Sequence, residues 1–340
     1  MELRELDLDE WGELLPDTGF EVFHTPEALS VLDEHATVGR LRLYGGFKGE
    51  QPVGLAPMFV EREFGVTVVA SPPPSMHVPH LGPLVMPTSP KQSKRERVNR
   101  TFTRELLDEL GVDARTLLFV LCSAEYDDPR PYQWADQAVD VSFTYSLPVG
   151  DGSAADVMQS FSRSRRREIR NGEDLDVTVE TGTVADARDV FDQTKDRFSE
   201  QNEYFGMTWS FVEDLVTALG DRARVYVARA PDGEFLSGII ALYSNDAASF
   251  WLGGVRATYE NISLNTLLHW NIVRDIAEDD ALASVSTYDM VGAGEYRLSK
   301  YKSKFAPDLV PYYVVESSGP FMSVAKSAYA GVESLRTWLP

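Results

Sequence analysis

The sequence predicts an α/β (α+β) protein built from two tandem units, each a mixed central sheet flanked by helices. Hydrophobic residues make up 43% of the 340 residues, which is enough for two cores and argues against general disorder. Short strands and amphipathic helices alternate in the second half, and the first half repeats that order more loosely. We therefore expect a first domain at 1–145 and a second at 146–317, with a helix at 318–340 packed on the first.

The second half gives the clearer pattern. Thr183 is the predicted N-cap of one helix, and Ser210 with Glu213 forms a capping-box pattern at the start of the next. A later helix near 263–278 carries apolar residues at four-residue spacing. The predicted order is strand 175–182, helices 184–201 and 210–219, strands 223–230, 235–244 and 247–256, helix 263–278, strand 284–290, helix 294–304 and strand 309–317.

The first half follows a similar order. Thr25 and Pro26 are the predicted N-cap and first residue of a helix, and seven prolines within 71–90 predict an ordered loop. In the tail, apolar residues recur every three or four positions over 320–338, which is typical of a helix packed on one face. The predicted elements are strand 2–7, helices 9–15 and 26–35, strands 40–47, 52–61 and 65–70, helix 91–110 and strand 115–122.

Positive charge is concentrated in a chain whose formal net charge is -21. RSRRREIR at 163–170 contains five arginines, and YRLSKYKSKF at 296–305 contains four bases and no acid. Like charges one helical turn apart destabilise a helix by a few tenths of a kcal/mol per pair, which an anionic partner would offset. Phosphate is the natural partner for arginine and lysine, and a plain surface patch is the alternative. The diluted run at 91–100 reads as a solvated helix face.

Several segments, in this order and spacing, resemble the FemABX family of tandem-GNAT aminoacyltransferases. The strand and helix order of the second half is that of the GNAT acyltransferase fold, and the similarity extends over most of the chain. The family's R-x-x-I-R helix is matched in part by Arg166 or Arg167 with Arg170. The other segments that carry the resemblance are FTYSLPV (143–149), YENISLNTLLHWNIVRDI (259–276), TYDM (287–290) and YRLSKYKSKFAPDLVPYYVVE (296–316).

The sequence also departs from the family pattern. Asn265 opens its helix without the family's preceding proline, and Met290 replaces the phenylalanine of YDF. Both glycines of the family's lysine motif are absent from 297–306.

The resemblance implies an enzyme whose site lies in a cleft between the two domains. There an amine would attack an activated acyl ester, for which the family's usual donor is an aminoacyl-tRNA, with no metal and no dedicated cofactor. Lys302 matches the family lysine that contacts phosphate and stabilises developing negative charge. Asp289 either holds the attacking amine or fixes its own loop. We therefore expect Lys302 and Asp289 to be the catalytic residues.

The same resemblance gives a set of substrate-binding residues. Arg167 and Arg170 would hold phosphate or the end of a tRNA, and Arg197 and Tyr204 would line the acceptor site. The expected acceptor is an amine on an anionic, phosphate-bearing molecule that is lipid-linked or nucleotide-linked. Such an acceptor would belong to the cell envelope, and the protein would contact the membrane peripherally. The remaining two members of the expected binding set are Asn265 and Lys300.

Two other functions compete with this interpretation. An acyl-CoA-dependent GNAT N-acyltransferase needs a glycine-containing pyrophosphate cradle at the start of the long helix, and RATYENISLN at 256–265 has no glycine. A non-catalytic binding protein on the same fold is the alternative from another class.

Other observations exclude classes of protein. The acidic start MELRELDLDEWGELL predicts no signal peptide, and no run approaches the roughly 18 apolar residues of a membrane span. Cys122 is the sole cysteine and sits in an apolar run, which predicts a buried core thiol and a cytoplasmic location. His77 and His80 lack acidic or cysteine companions, so we expect no metal site, and no DNA-binding motif is present.

The acid content suggests a salt-rich environment. The chain has 53 acidic residues, and only 8 of its 32 basic residues are lysine. A carboxylate-rich, lysine-poor surface suits concentrated salt, where surface charges are strongly screened. We therefore expect a halophilic source.

Overall fold

The computed structural model describes residues 1–63, 65–150 and 152–318. The chain divides into two compact units. The first unit comprises Met1–Ser142 and the described residues from Pro311 onward, and the second unit comprises Phe143–Val310. The predicted terminal helix begins at 318 and so lies almost wholly outside the described residues.

The first unit contains strands and helices in the predicted alternation. Asp7 caps the first helix through a capping box with Glu10. Thr25 caps the second helix, in which Pro26 is the first residue as predicted. The elements, numbered along the chain, are β1 (Glu2–Leu6), α1 (Leu8–Leu14), α2 (Pro26–His35), β2 (Arg40–Lys48), β3 (Gln51–Glu63), β4 (Val66–Ser71), β5 (Leu84–Val85), α3 (Gln92–Leu110), β6 (Thr116–Leu121), α4 (Arg130–Gln133) and the start of β7 (Gln137–Pro148).

The sheet of the first unit is mixed. Strands β1, β2, β3, β4 and β6 are neighbours in that order, with β4 and β6 parallel and the other pairs antiparallel. Helix α3 packs on the sheet through Phe102, which contacts Gly46 and Gly54 so closely that a Cβ at either glycine would lie within 3 Å of the ring. These two glycines therefore allow the helix to approach the strands.

The last strand differs from the predicted domain organisation. We expected the second domain to run to 317, but residues from Pro311 belong to the first unit. The reason is strand pairing: in β15 (Asp308–Ser317), Val314 and Val315 pair antiparallel with Leu121 and Val120 of β6. Val315 is fully buried in the core of the first unit.

The second unit contains the remaining elements. They are the end of β7, α5 (Ala154–Ser160), α6 (Arg163–Glu173), β8 (Thr178–Thr181), α7 (Val184–Glu200), α8 (Trp209–Leu219), β9 (Ala223–Arg229), β10 (Phe235–Tyr243), β11 (Ala247–Gly253), β12 (Thr258–Tyr259), β13 (Ile262–Ser263), α9 (Leu264–Glu278), β14 (Thr287–Asp289), α10 (Tyr296–Lys302) and the start of β15. Its sheet has the order β7, β14, β11, β10, β9, β8. Strands β11 and β14 run parallel, and the other neighbours run antiparallel.

Helix capping confirms one sequence prediction and corrects another. Thr183 is the N-cap of α7, where Asp186 accepts hydrogen bonds from its backbone N–H and its hydroxyl. The predicted cap at Ser210 is wrong, because α8 already begins at Trp209. Thr208 is the N-cap, and its hydroxyl accepts a hydrogen bond from the backbone N–H of Phe211 at 3.3 Å.

The single cysteine is a core residue, as predicted. Cys122 is fully buried and free, and burial raises the pKa of its thiol. A thiol held protonated in this way is a poor nucleophile. Its position at the end of β6 is therefore structural.

Candidate active site

The parallel strands β11 and β14 part at their carboxyl ends. They pair over three residues, from Ala247 with Thr287 to Ser249 with Asp289. β14 ends there, whereas β11 continues to Gly253. Ligand crevices in α/β sheets form outside the carboxyl ends of strands that diverge in this way. The gap between these strands is therefore the place in the second unit to look for chemistry.

The chain leaves β14 through a turn that side chains hold in place. Val291 and Gly292 both have left-handed backbone, with φ of 51° and 70°. This conformation is costly for a β-branched residue such as valine. Asp289 Oδ1 accepts hydrogen bonds from the backbone N–H of Val291 at 2.7 Å and from the hydroxyl of Thr144 at 2.5 Å. In this structure Asp289 fixes its own loop, one of the two roles expected for it.

Lys302 points into this turn from the end of α10. Its side chain is buried, with 7% of the residue exposed. Its ammonium donates hydrogen bonds to the carbonyl oxygens of Val291 and Gly292, the second at 3.1 Å. Burial lowers the pKa of Lys302 to about 8, and the nearby carboxylates of Asp289 and Glu295 limit that decrease. An ammonium has three N–H donors, so one remains for a further partner.

One aromatic ring lies near the ammonium, and a cluster of rings encloses His269 of the neighbouring helix α9. Lys302 Nζ lies 5.9 Å from the ring centre of Phe250, in the part of β11 beyond its last pair with β14. His269 of α9 is buried among Phe250, Tyr288, Tyr301 and Phe305 and hydrogen-bonds to the hydroxyl of Tyr288 at 2.9 Å. Burial, reinforced by the positive charges of Lys302 and Arg165, lowers the pKa of His269 to about 3. The imidazole is therefore neutral at physiological pH.

The arginine run forms helix α6 and has two faces. Arg165 is buried, with its guanidinium 2.7 Å from Glu168, bonded to Thr266 and 3.1 Å from the carbonyl of Tyr301. The same group stacks on the rings of Tyr301 and Phe305 at 4.4 and 4.3 Å. Arg165 therefore ties α6 to α9 and α10, a role that we did not predict for it. Its four-residue spacing from Ile169, the one large apolar residue in the run, carried that signal.

Of the other arginines of α6, one bonds to the neighbouring helix α5 and three are exposed. Arg166 donates to the carbonyl oxygens of Gln159 and Phe161 at the end of α5. Arg167 and Arg170, the two predicted phosphate ligands, are exposed together with Arg163. Within the described residues, the side chains of these three arginines make no hydrogen bond or ion pair. The structure does not bring Arg167 and Arg170 into contact with Lys302.

Asn265 lies in the first turn of α9, beside the end of β11. Its Nδ2 donates to the carbonyl oxygen of Gly254 at 2.6 Å, while its Oδ1 is buried and has no hydrogen-bond partner among the residues the structure describes. A Cβ at Gly254 would touch both Asn265 and Phe250. Asn265 and Phe250, the ring beside Lys302, therefore both lie next to Gly254.

The remaining predicted residues are Arg197, Tyr204 and Lys300. Arg197 ends α7 half-buried, and burial lowers its pKa, while the charges of Glu203, Arg297 and Glu295 also act on it. It therefore faces the start of α10. Tyr204 is 40% exposed, and Lys300 is exposed on α10. Of the predicted set, the structure groups Lys302, Asp289 and Asn265, with Arg197 at the edge.

The comparisons with known proteins agree with this architecture. Residues 158–303 match the model of an acetyltransferase (GNAT) domain. The structure is similar to that of FemX, with a TM-score of 0.66 and 10% identity over 98% of this chain and 100% of FemX. No curated protein sequence matches the chain.

Two further solved structures are similar. The C-terminal domain of a candidate lysylphosphatidylglycerol synthetase from Agrobacterium fabrum has a TM-score of 0.54 and 11% identity, over 94% of each chain. L-PGS from Bacillus licheniformis has a TM-score of 0.51 and 14% identity, over 90% of this chain and 96% of that one. At such identities the likeness establishes the fold, and it confirms the predicted α/β fold of the GNAT type. Together with the domain match, it supports an N-acyltransferase.

The described residues contain neither a membrane-spanning helix nor a metal-binding group of side chains. Within 1–63, 65–150 and 152–318, no helix is both long enough and apolar enough to cross a bilayer. The same residues contain no group of three or more His, Cys, Asp or Glu side chains arranged to hold a metal ion.

Proposed function

We propose that this protein is a FemABX-like acyltransferase that moves an aminoacyl or acyl group onto an amine of an anionic, phosphate-bearing acceptor. The reaction centre would be the gap between the carboxyl ends of β11 and β14. The position of Lys302 carries the proposal: a buried ammonium held at this gap with one N–H donor to spare. A positive charge in a desolvated place stabilises developing negative charge more strongly than one in water.

The chemistry requires few groups from the protein. The amine nitrogen of the acceptor attacks the acyl carbonyl carbon, the bond from that carbon to the leaving oxygen or sulfur breaks, and the amine releases a proton. The ammonium of Lys302 would stabilise the oxyanion or the phosphate near it. Because the pKa of Lys302 is about 8, most of the group is charged at pH 7.

Three nearby side chains, those of His269, Asn265 and Asp289, would support Lys302 in this proposal. His269 is neutral and bonded to Tyr288, so it would not compete with Lys302 for an anion. Asn265 would position the end of β11, since its Nδ2 donates to the carbonyl oxygen of Gly254. Asp289 would act as a positioning residue, since its Oδ1 holds the turn that Lys302 also holds.

An acyl-CoA donor is the second candidate, favoured by the match of 158–303 to an acetyltransferase (GNAT) domain. The start of α9 argues against a backbone cradle for pyrophosphate of the usual kind. There the backbone N–H of Leu264 is already bonded to the carbonyl of Ala257, and the preceding residues form the small hairpin of β12 and β13.

Ligand-induced stabilisation separates the candidates. The melting temperature is measured with aminoacyl-tRNA, acetyl-CoA and longer acyl-CoAs, for the wild type, Lys302→Ala and the control Lys195→Ala, which changes an exposed lysine on α7. A ligand that binds the native state raises the melting temperature. A shift with aminoacyl-tRNA that Lys302→Ala loses and Lys195→Ala keeps supports aminoacyl transfer. A shift with CoA esters alone supports the second candidate. A bound donor that keeps its acyl group when a primary amine is added supports a non-catalytic protein.

A further inference from the structure

Exposed hydrophobic side chains are concentrated in one short segment of the second unit. Within the described residues eight large hydrophobic side chains are exposed, and the segment 296–309 contains three of them. These are Tyr296, Leu298 and Leu309, which are 82%, 38% and 55% exposed. Single apolar residues are ordinary on a protein surface, whereas a group of them marks a contact with a partner. This segment is therefore a candidate interaction surface.

A fourth exposed hydrophobic side chain lies beside α10. The backbone N–H of Ala293 donates to the carbonyl oxygen of Phe143 at 3.1 Å, and the hydroxyl of Ser299 donates to the carbonyl oxygen of Ala293 at 2.8 Å. Ser299 belongs to α10, and Phe143 is 42% exposed. Phe143 and α10 therefore both adjoin Ala293 in the second unit.

Positive charge accompanies these hydrophobic groups. Arg297, Lys300 and Lys304 are exposed, and the sequence has no acid within 296–307. Arg297 lies 3.6 Å from Glu295. The side chains of Lys300 and Lys304 make no hydrogen bond or ion pair with the described residues. The segment therefore presents basic and apolar side chains together.

The positive surface continues onto α6. The backbone N–H of Ser162, the N-cap of α6, donates to the carbonyl oxygen of Lys304 at 2.9 Å. Arg163 follows Ser162 directly, and Arg167 lies one helical turn further along the same face. Neither arginine side chain makes a hydrogen bond or ion pair with the described residues. In a chain with a net charge of -21, these uncompensated basic groups favour an anionic partner.

The aliphatic side chains distinguish between two kinds of anionic partner. Nucleic acid is bound through its phosphates and through aromatic rings that stack on its nucleobases, and Leu298 and Leu309 offer neither charge nor ring. An anionic bilayer uses both kinds of side chain at once. Lysine and arginine attract its headgroups, leucine enters the boundary between headgroups and acyl chains, and tyrosine is favoured at that depth.

We propose that the exposed side of α10, together with Phe143, Leu309 and the start of α6, binds the surface of a bilayer that contains anionic lipid. Tyr296 and Lys300 are four residues apart and share one face of α10, so an aromatic ring and an ammonium would reach the headgroups together. This surface goes beyond the proposed function, because binding to a bilayer requires no acyl transfer.

The test is sedimentation of the full chain with lipid vesicles at about 0.1 M salt, where the Debye length is about 10 Å. One set of vesicles consists of phosphatidylcholine alone, and the other of equal parts phosphatidylcholine and phosphatidylserine. The partition coefficient of the wild type is expected to be at least about tenfold higher for the mixed vesicles, because the basic side chains are attracted only to anionic headgroups.

Removing basic side chains tests the electrostatic part. The double variant Arg163→Gln, Lys304→Gln should lower the partition coefficient for mixed vesicles about tenfold or more, since each basic residue near the surface adds to the attraction. The matched control is Lys94→Gln, Arg97→Gln, which removes two exposed basic side chains from α3 in the first unit. This control should bind the mixed vesicles as the wild type does.

Removing hydrophobic side chains separates a bilayer from other polyanions. The double variant Tyr296→Ser, Leu298→Ser keeps every basic residue and should lower the partition coefficient about fivefold or more. The proposal is overturned if the wild type does not bind the mixed vesicles, if it binds neutral vesicles equally well, or if this variant binds as the wild type does. Binding of bulk tRNA without binding of vesicles would also overturn it and would assign the surface to nucleic acid.

Discussion

Lys302 shows how burial changes what a residue can contribute. Lysine usually lies at the surface, so the sequence indicated a charge near phosphate but gave no sign that the side chain would be buried and bonded to its own backbone. That burial depends on a turn at 291–292, ten or eleven residues earlier, and on the ring of Phe250, which is distant in sequence. Local patterns could therefore identify the residue but not its environment.

A pH-dependent stability follows from that environment. The pKa of Lys302 is about 8 in the folded protein and near 10.4 in an unfolded chain, so between these values only the unfolded chain holds the proton. The free energy of unfolding should therefore rise from pH 8 to pH 10 relative to Lys302→Met, by about 1–3 kcal/mol. Chemical denaturation of both proteins at several pH values measures this difference. A difference that is flat or falls with pH would contradict the shifted pKa.

The position of each arginine on the helical turn decides whether it is buried or exposed in α6. Arg165, Ile169 and Gly172 are buried on one face, and a Cβ at Gly172 would collide with Leu267 of α9. Arg167 is on the exposed part of the same helix. The sequence alone contains this distinction, since residues four and seven apart share a face. The family motif pointed instead to Arg167 and Arg170.

Substitution at these two positions should have unequal effects. Arg165→Met removes a buried ion pair, two further hydrogen bonds and two ring contacts, and should lower the free energy of unfolding by about 3 kcal/mol or more. Arg167→Met, its matched control, should change it by less than about 0.5 kcal/mol. Denaturant titration of each variant measures its free energy of unfolding. Equal decreases in the two variants would contradict a helix with Arg165 on its buried face and Arg167 on its exposed face.

At the scale of elements, the sequence predicted most of the order in the second unit because helix and strand periods are local properties. It did not predict that β14 would pair with β11 over only three residues, which opens the candidate site. It also did not predict that β15 belongs to the first unit from Pro311 onward, since its partner β6 lies almost two hundred residues earlier. Long-range pairing leaves no local pattern to read.

The corrected cap of α8 can be checked directly. Thr208→Ala removes the hydroxyl that accepts from Phe211 N–H and should cost about 1 kcal/mol of stability. Ser210→Ala, within the first turn of the same helix, should cost clearly less, because Ser210 makes a bond to Thr208 but caps no backbone group. Melting temperatures of the two variants compare them, and a larger loss in Ser210→Ala would restore the original prediction.

At the scale of the whole molecule, the outstanding property is an excess of negative charge. A formal net charge of -21 means that carboxylates repel one another over the surface at low salt. Among the residues that the structure describes, the side chains of Arg163, Arg167 and Arg170 nevertheless make no ion pair. The halophilic source stays a prediction, and it has a measurable counterpart in stability.

Added salt should stabilise the protein. Screening shortens the range of repulsion to about 3 Å at 1 M ionic strength, compared with about 30 Å at 0.01 M. The melting temperature should therefore rise steadily as potassium chloride is raised from 0.01 M to 2 M. A melting temperature that is constant or falls over this range would count against adaptation to concentrated salt.

The central claim is that the ammonium of Lys302 promotes acyl transfer from a site in the second unit. The most direct test is the rate at which the donor loses its acyl group under single-turnover conditions, with a primary amine in excess. The donor is whichever ligand stabilises the protein. The wild type, Lys302→Met and Lys195→Met, which changes an exposed lysine on α7, are compared after each is shown to be folded. We expect Lys195→Met to match the wild type and Lys302→Met to be about 100-fold slower or more. A folded Lys302→Met that transfers the acyl group at the wild-type rate would contradict the claim.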